Sequence, residues 1–204
     1  MNETPKPAAK PVKRPMLTMP AQEAAVLAQH YAKALVVLEY GSGGSTVLAA
    51  EMPDKTVFSV ESDVKWLAAM RQYFAGNPPL GKLWLHHGKV GRTKTWGYPQ
   101  NDEHFRKWPG YPLGIWDIAE FVHPDVVLID GRFRAACFLT TLFRIKRPVT
   151  VLWDDYIDRN PYHEVERLVK PVEMVGRMAR FQIEPMPVPA DQLHWIMDNY
   201  LRPM

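Results

Sequence analysis

The sequence predicts an α/β fold of three layers, in which helices cover both faces of a doubly wound, mostly parallel sheet. Three observations support this prediction. Short runs of strand-forming residues alternate with helical segments, the runs are apolar along their length, and several end in glycine or an acidic residue. Continuously apolar strands are typical of parallel sheets that are buried on both faces. Because ligands of such sheets bind at the carboxyl ends of the strands, the residues at these ends should lie close together.

The size and composition of the chain fit a single soluble domain. It has 204 residues, of which 47% are hydrophobic and 23% are charged, as is ordinary for a globular protein. No apolar run approaches the roughly 20 residues that a membrane-spanning helix needs. Cys137 is the single cysteine and has no partner for an internal disulfide. We therefore expect a reducing, cytoplasmic location.

Residues 1–20 form a proline-rich, basic arm. Their five prolines exclude a regular helix or a central strand, so we expect either a solvated tail or an arm that packs on the partner subunit of a homodimer. The arm holds four basic residues against one acid, which accounts for the net charge of +3. Residues 21–204, which we treat as one domain, are therefore balanced in charge. This argues against a nucleic-acid partner, which would require positive charge on the folded surface.

Helices and strands alternate in the first half of the domain. An apolar stripe predicts a helix over residues 21–34, and the apolar run 35–40 predicts a strand that ends at a glycine-rich turn. Ser45 and Thr46 are suitable caps for the next helix. The remaining predicted elements of this half are a helix to about 51, a strand over 56–60, a helix over 62–75 and a strand over 83–87.

Residues 88–120 lose this periodicity. They contain three prolines, five glycines and six aromatic residues. Long irregular segments inside compact domains are usually functional or disordered, and the aromatic residues argue against disorder because their burial is favourable. We interpret residues 89–120 as an aromatic lid over a site. The alternative is a packed loop that covers the edge of the sheet.

Regular elements return after this segment. Residues 125–130 predict a strand that ends in Asp130, and residues 149–153 predict a strand that Asp154 and Asp155 follow. The other predicted elements are a helix over 133–145, a helix over 162–170 and a hairpin over 172–175 and 179–183. Residues 193–201 fit either a strand or a helix. We expect this late region to complete the sheet with an antiparallel strand.

The most specific motif follows the first strand, where Glu39 and Tyr40 precede the sequence Gly-Ser-Gly-Gly-Ser-Thr. Glycines permit tight turns and let a ligand approach the backbone. The dinucleotide fingerprint would need a third glycine at Thr46, which disfavours NAD as the ligand. Glu61 ends the second strand about twenty residues later, where an acid can accept hydrogen bonds from both ribose hydroxyls of an adenosine ligand.

Together, these residues resemble the first two motifs of the class I S-adenosylmethionine-dependent methyltransferases, over about residues 35–155. The resemblance implies a Rossmann-like fold and S-adenosylmethionine as the cofactor. It implies that Glu39 positions the methionine part, that the turn backbone meets the cofactor and that Glu61 holds the ribose. The cofactor-binding residues that it implies are Glu39, Gly41, Ser42, Gly43, Ser45, Thr46, Glu61, Ser62 and Gly88.

The acidic residues after the fourth and fifth strands are similar to the metal ligands of cation-dependent O-methyltransferases. The resemblance implies a Mg²⁺ ion held by Asp130, Asp154 and Asp155, with Asp130 also the catalytic residue. Carboxylates suit Mg²⁺, which would lower the pKa of an acceptor hydroxyl. The alternative is that Asp154 and Asp155 cap a helix or line a polar loop.

The sequence departs from the catechol-type enzymes of that group three residues after Asp130. Those enzymes place a lysine there, whereas this chain has Phe133, so the general base is unassigned. Arg132 and Arg134 flank the position, but arginine stays protonated and is a poor base. The basic residues over 131–147 either recognise an anionic substrate or, in the case of the last three, form a solvated helix end.

The sequence therefore predicts methyl transfer from S-adenosylmethionine to an oxygen atom of a small molecule such as a sugar or a phenol, with Mg²⁺ as an optional assistant. The contrasting hypothesis is a non-catalytic methyltransferase-like domain that binds a ligand or a partner. An enzyme that uses NAD is the third hypothesis, which the glycine spacing disfavours.

Overall fold

A computed structural model describes residues 13–204 and confirms the predicted α/β architecture. The strands are β1 (Val36–Tyr40), β2 (Thr56–Glu61), β3 (Lys82–His87), β4 (Val126–Ile129), β5 (Val149–Trp153), β6 (Glu173–Val175) and β7 (Met178–Ile183). The helices are α1 (Ala21–Lys33), α2 (Gly44–Ala50), α3 (Val64–Gly76), α4 (Gly110–Leu113), α5 (Arg134–Arg144) and α6 (Leu193–Asn199). The predicted bounds of β1 to β5 are met to within one or two residues.

The strands form one sheet in the order β3-β2-β1-β4-β5-β7-β6. β1 to β5 pair in parallel, whereas β7 is antiparallel to β5 and β6 is antiparallel to β7. The order reverses between β1 and β4, which are neighbours in the sheet but not in the sequence. Ligands of doubly wound sheets bind at such a reversal, outside the carboxyl ends of the strands.

The two faces of the sheet are covered by different parts of the chain. On one face, Leu27 and Tyr31 of α1 pack with Val37 and Leu128. On the other face of the sheet, α5 and residues 88–120 pack against β1, β2, β4 and β5. The sheet is thus the middle of three layers, as its apolar strands predicted.

Residues 88–120 take the place of a regular helix on the second face. Beside α4 they form 3₁₀ turns at Thr95–Gly97, Asp102–Lys107 and Gly114–Asp117. Trp108, Tyr111 and Trp116 are buried in the core. The Trp116 indole N–H donates to the Tyr40 hydroxyl over 2.7 Å, and that hydroxyl donates to the Pro112 carbonyl over 2.7 Å. The second half of the segment is therefore core, while its first half lies over the carboxyl ends of the strands.

The structure specifies two of the later elements. Residues 162–170 were predicted to be helical, and the chain forms a 3₁₀ helix at Asn160–Arg167, with a proline in its first turn. Residues 193–201 contain α6, in which Ile196 faces the core and the Asn199 side chain donates to the Trp195 carbonyl one turn earlier. The predicted hairpin forms as β6 and β7, and its antiparallel strands complete the sheet as expected.

The predicted arm lies partly outside the described residues, which begin at residue 13. Residues 13–20 form no helix or strand and pack on their own domain. Met19 is buried beside α1, and the Leu17 backbone touches Gly44 so closely that a side chain at Gly44 would collide with it. Across residues 13–204, the helices are all too short or too polar to cross a bilayer.

Candidate functional site

The glycine turn after β1 packs directly against the loop after β4. Gly41 has a φ of +105°, and a Cβ atom placed on it would lie 2.8 Å from the Gly131 nitrogen and 3.0 Å from the Asp130 carbonyl carbon. Glycine is required here by both its conformation and the lack of space. The Gly41 N–H also donates to the Val60 carbonyl over 2.8 Å. The turn is thus fixed between β2 and β4.

Glu39 lies beneath this turn and is fully buried. Its carboxylate accepts hydrogen bonds of 2.6 Å from the Tyr31 hydroxyl and 2.6 Å from the Thr46 hydroxyl. The Thr46 oxygen accepts in turn from the Gly43 N–H over 2.9 Å. Burial raises the pKa of Glu39, and the hydrogen bonds from Thr46 and Tyr31 oppose that rise. In this arrangement Glu39 supports the turn through Thr46.

The Glu61 carboxylate joins the turn to the end of β2. Its Oε2 accepts from the Ser42 N–H over 3.3 Å, and its Oε1 accepts from the Asp63 N–H over 2.8 Å and lies 3.3 Å from the Ser62 hydroxyl oxygen. Burial raises the pKa of Glu61, while these backbone hydrogen bonds lower it. Within residues 13–204, Oε2 has a single donor, so it retains acceptor capacity for a hydroxyl group.

Residues 88–120 cover part of this edge. The Ser62 hydroxyl donates to the Gly97 carbonyl over 2.8 Å. The Tyr111 ring stands against Gly88, and its hydroxyl stands against Gly131, so that a side chain at either glycine would collide with the tyrosine. Gly88, one of the predicted cofactor-binding residues, is therefore covered by Tyr111.

Asp130, Asp154 and Asp155 converge because β4 and β5 end side by side. A carboxylate oxygen of each lies within 4.8 Å of the others. Asp154 is 1% exposed, whereas Asp130 retains 38% of its side-chain surface. Desolvation in this cluster raises the pKa of Asp130 to about 6; Arg134 opposes the rise, and the charges of Asp154 and Asp155 add to it. The predicted acidic residues are thus brought together.

Three arginines already occupy these carboxylates. Arg177, from the β6–β7 turn, binds both carboxylate oxygens of Asp154. The other two arginines, Arg134 and Arg159, bind Asp130 and Asp155. The contacts are Arg177 Nε to Asp154 Oδ1 at 3.0 Å, Arg177 Nη2 to Asp154 Oδ2 at 2.7 Å, Arg134 Nη2 to Asp130 Oδ1 at 3.1 Å, Arg134 Nη2 to Asp155 Oδ2 at 3.3 Å and Arg159 Nη2 to Asp155 Oδ2 at 2.9 Å. The cluster contains three positive charges for its three negative ones.

A solved structure of a methyltransferase-like protein from Silicibacter pomeroyi DSS-3 is similar to this chain over nearly its whole length. The two are 48% identical, the match covers 93% of this chain and 99% of that chain, and the TM-score is 0.89. The chain belongs to the class I S-adenosylmethionine-dependent methyltransferase family.

Two more distant structures share the fold of this methyltransferase family. Cofactor-bound Rv0187 from MTB is 16% identical with a TM-score of 0.58, over 86% of this chain and 85% of that one. The O-methyltransferase TomG from Streptomyces achromogenes, solved in complex with S-adenosylmethionine, is 15% identical with a TM-score of 0.55, over 83% and 82%. A scan against protein-family models and a search of curated proteins found no match.

The predicted site residues of this methyltransferase-family chain fall into two neighbouring groups at the carboxyl edge. The first surrounds the glycine turn and contains Glu39, Gly41, Ser42, Gly43, Ser45, Thr46, Glu61 and Ser62. The second contains Asp130, Asp154 and Asp155. The contact of Gly41 with Gly131 joins the two groups, whereas Gly88 lies behind Tyr111.

Sequence reasoning missed several residues at this edge, among them Tyr31 and Arg159. Trp66 of α3 donates its indole N–H to the Ser42 carbonyl over 2.7 Å. Tyr98 and Arg177 reach the site from the irregular segment and from the hairpin. The aromatic content of the irregular segment was the one signal for Tyr98, and no local pattern indicates Arg177.

Proposed function

We propose that the protein transfers a methyl group from S-adenosylmethionine to an oxygen atom of a small-molecule acceptor. The observation that carries the proposal is the Glu61 carboxylate, which is buried, bound to the glycine turn through Ser42 and left with acceptor capacity on Oε2. A carboxylate in this position is suited to a ribose hydroxyl. Membership of the methyltransferase family supports the same cofactor.

The glycine turn fits such a cofactor because it borders open space. A Cβ atom placed on Gly43 would meet no atom of the described residues within 4 Å. Ser45 and Thr46 lie in the first turn of α2 just beyond it. When bound, S-adenosylmethionine supplies a methyl group on a positively charged sulfur. The backbone of the turn would hold the cofactor, and Glu61 would fix its ribose.

Asp130 is the residue we assign as the general base. It immediately precedes Gly131, which touches the glycine turn. Its pKa of about 6 leaves it mostly ionised at neutral pH, yet basic enough to accept a proton. In the proposed reaction, the acceptor hydroxyl gives its proton to Asp130 as its oxygen bonds to the methyl carbon. The carbon–sulfur bond breaks and its electron pair stays on sulfur, which leaves S-adenosylhomocysteine.

The acidic cluster does not fit the Mg²⁺ ion that its sequence pattern implied. Asp154 gives both oxygens to Arg177 and is almost fully buried, and the other two aspartates are paired with arginines. Three guanidinium groups beside the carboxylates oppose the binding of a divalent cation. We therefore propose a reaction without a metal, in which Asp130 performs the deprotonation.

A second candidate is a non-catalytic domain that binds a ligand or a partner. The position of Tyr111 favours it, since the ring fills the space beside Gly88 and Gly131 at the edge where the cofactor would lie. In the catalytic proposal, the ring must move aside or form one wall of the site.

The release of S-adenosylhomocysteine separates the two candidates. The wild type would be incubated with S-adenosylmethionine and mixtures of hydroxylated acids, sugars and phenols, beside Asp130→Asn and the exposed control Glu184→Gln. The catalytic proposal predicts acceptor-dependent release by the wild type and the control, and its loss in Asp130→Asn. Binding of S-adenosylmethionine without release from any mixture would favour the non-catalytic candidate.

A further inference from the structure

Arg132 is a buried cation that has no counter-ion among residues 13–204. It is 7% exposed, and its Nε and Nη1 atoms are buried without a hydrogen-bond partner in the described part of the chain. A buried guanidinium normally pairs with a carboxylate or another acceptor, because leaving it unpaired costs much of its hydration energy. Arg134, two residues later, shows the ordinary case, with five hydrogen bonds to oxygen atoms.

Tyr98 links Arg132 to a cavity at the same edge of the sheet. The Arg132 guanidinium carbon lies 4.1 Å from the centre of the Tyr98 ring. The same tyrosine lines a cavity of about 350 Å³ together with Arg159, Asn160 and Tyr162. This volume is within the range of small-molecule sites, and the lining combines aromatic surface with hydrogen-bonding groups.

Among residues 13–204, Arg132 is the one arginine at this edge that forms no ion pair. Three arginines balance the three aspartates after β4 and β5, as described above, and Arg132 is the fourth arginine at that edge. Asp158 also lines the cavity, but it is exposed and makes no ion pair within residues 13–204. An anion that reaches Arg132 beside Tyr98 would therefore supply the partner that its guanidinium lacks.

The geometry points to an anionic methyl acceptor, whose carboxylate or phosphate binds beside Tyr98 between the guanidinium groups of Arg132 and Arg159. Arg159 donates to Asp155 over 2.9 Å and to the Tyr162 hydroxyl over 3.3 Å, which holds its guanidinium at the cavity. Arg132 and Asp130 share the loop after β4. An acceptor anchored at Arg132 would therefore lie close to Asp130.

This inference rests on the proposed function, because it identifies the bound anion as a methyl acceptor. Binding of an anion at this site can nevertheless be tested without turnover. The melting temperature of the full chain would be measured in increasing sodium phosphate, against sodium chloride of equal ionic strength. A parallel titration with sodium benzoate distinguishes a preference for phosphate from one for carboxylate. The variants are Arg132→Met and Arg159→Gln, with Arg106→Met, an exposed arginine of the irregular segment, as the matched loss of one charge.

We expect at least one of the two anions to raise the melting temperature of the wild type by about 3 °C at tenfold excess over its Kd. Arg106→Met should show the same rise, Arg159→Gln a smaller one and Arg132→Met none. If neither anion acts beyond chloride in the wild type, or if Arg132→Met keeps the full rise, the inference is wrong. Should Arg132→Met fail to fold, Arg159→Gln decides alone.

Calorimetric titration with S-adenosylhomocysteine separates this inference from the proposed function. Arg132→Met should bind S-adenosylhomocysteine as the wild type does, because Arg132 is assigned to the acceptor. A loss of tenfold or more would assign Arg132 to the cofactor carboxylate and overturn the inference. If the wild type fails to bind S-adenosylhomocysteine while phosphate still protects it through Arg132, the proposed function fails and the anion site remains.

Discussion

The two glycines of the β1 turn should respond to alanine in opposite ways. Gly41 has a positive φ and no space for a side chain, since its Cβ would lie 2.8 Å from the Gly131 nitrogen. Gly43 has an extended φ of 177°, and its Cβ would meet nothing within 4 Å. We expect Gly41→Ala to lower stability and Gly43→Ala to lower cofactor affinity.

The magnitudes follow from these environments. A left-handed conformation costs a residue with a side chain roughly 1–2 kcal/mol, and forcing a methyl group into packed structure costs about 1–3 kcal/mol. The clash at Gly41 is with the backbone of Asp130 and Gly131, so neither cost can be relieved by a rotamer change. We expect Gly41→Ala to lose about 2–5 kcal/mol. Gly43→Ala should change stability by less than about 0.5 kcal/mol, while its methyl group fills space assigned to the cofactor.

Urea denaturation and calorimetry measure the two effects on the same samples. The unfolding midpoint of Gly41→Ala should fall by about 1 M or more, whereas that of Gly43→Ala should match the wild type. The affinity of Gly43→Ala for S-adenosylhomocysteine should fall by about tenfold or more, which is about 1.4 kcal/mol. Unchanged stability of Gly41→Ala would refute the packing of the two loops. Unchanged affinity of Gly43→Ala would refute the position given to the cofactor.

Three further predictions concern the acidic cluster. Turnover should be the same with EDTA as with added Mg²⁺, because arginines occupy the carboxylates. If EDTA abolishes turnover and Mg²⁺ restores it, a metal displaces the arginines and the prediction is wrong. The rate should rise with pH through about 6 and then level off, because Asp130 accepts a proton only when ionised. A wild-type rate that does not change from pH 5 to 8 would exclude Asp130 as the base. For the same reason, Asp130→Asn should lower kcat by about 10²-fold or more. Arg177→Met should destabilise the protein by about 2–3 kcal/mol in urea denaturation, which is below the usual cost of breaking a buried ion pair because Arg177 is 37% exposed. Adding Asp154→Asn to this variant should restore part of the lost stability. If the two substitutions show no coupling in stability, the ion pair contributes nothing.

The parallel part of the fold was predictable from local sequence because each strand is a short apolar run. β1, β2, β4 and β5 are buried on both faces, and this burial requires the continuous apolar pattern that the sequence displays. The late region was harder to predict, since its periodicity is weak. α6 has seven residues and buries Ile196 and Asn199, which gives too few apolar positions to distinguish a helix from a strand.

The candidate site was predictable where it follows strand ends and obscure where it depends on distant contacts. Glu61 lies at the end of β2, so topology alone brings it to the glycine turn. The pairing of Arg177 with Asp154 joins residues 23 positions apart through the β6–β7 turn, and no local spacing encodes it. The same limit applies to the contact of Arg132 with Tyr98, which joins the loop after β4 to the irregular segment.

The central claim is that the glycine turn and Glu61 hold S-adenosylmethionine. Its most direct test is calorimetric titration of the wild type, Glu61→Gln and the exposed control Glu184→Gln with S-adenosylhomocysteine, with NAD as the competing adenosine ligand. The account predicts micromolar binding by the wild type and the control, clear weakening in Glu61→Gln and no comparable binding of NAD. Folded wild type that does not bind S-adenosylhomocysteine, or a Glu61→Gln variant that binds it as tightly as the wild type, would contradict the account.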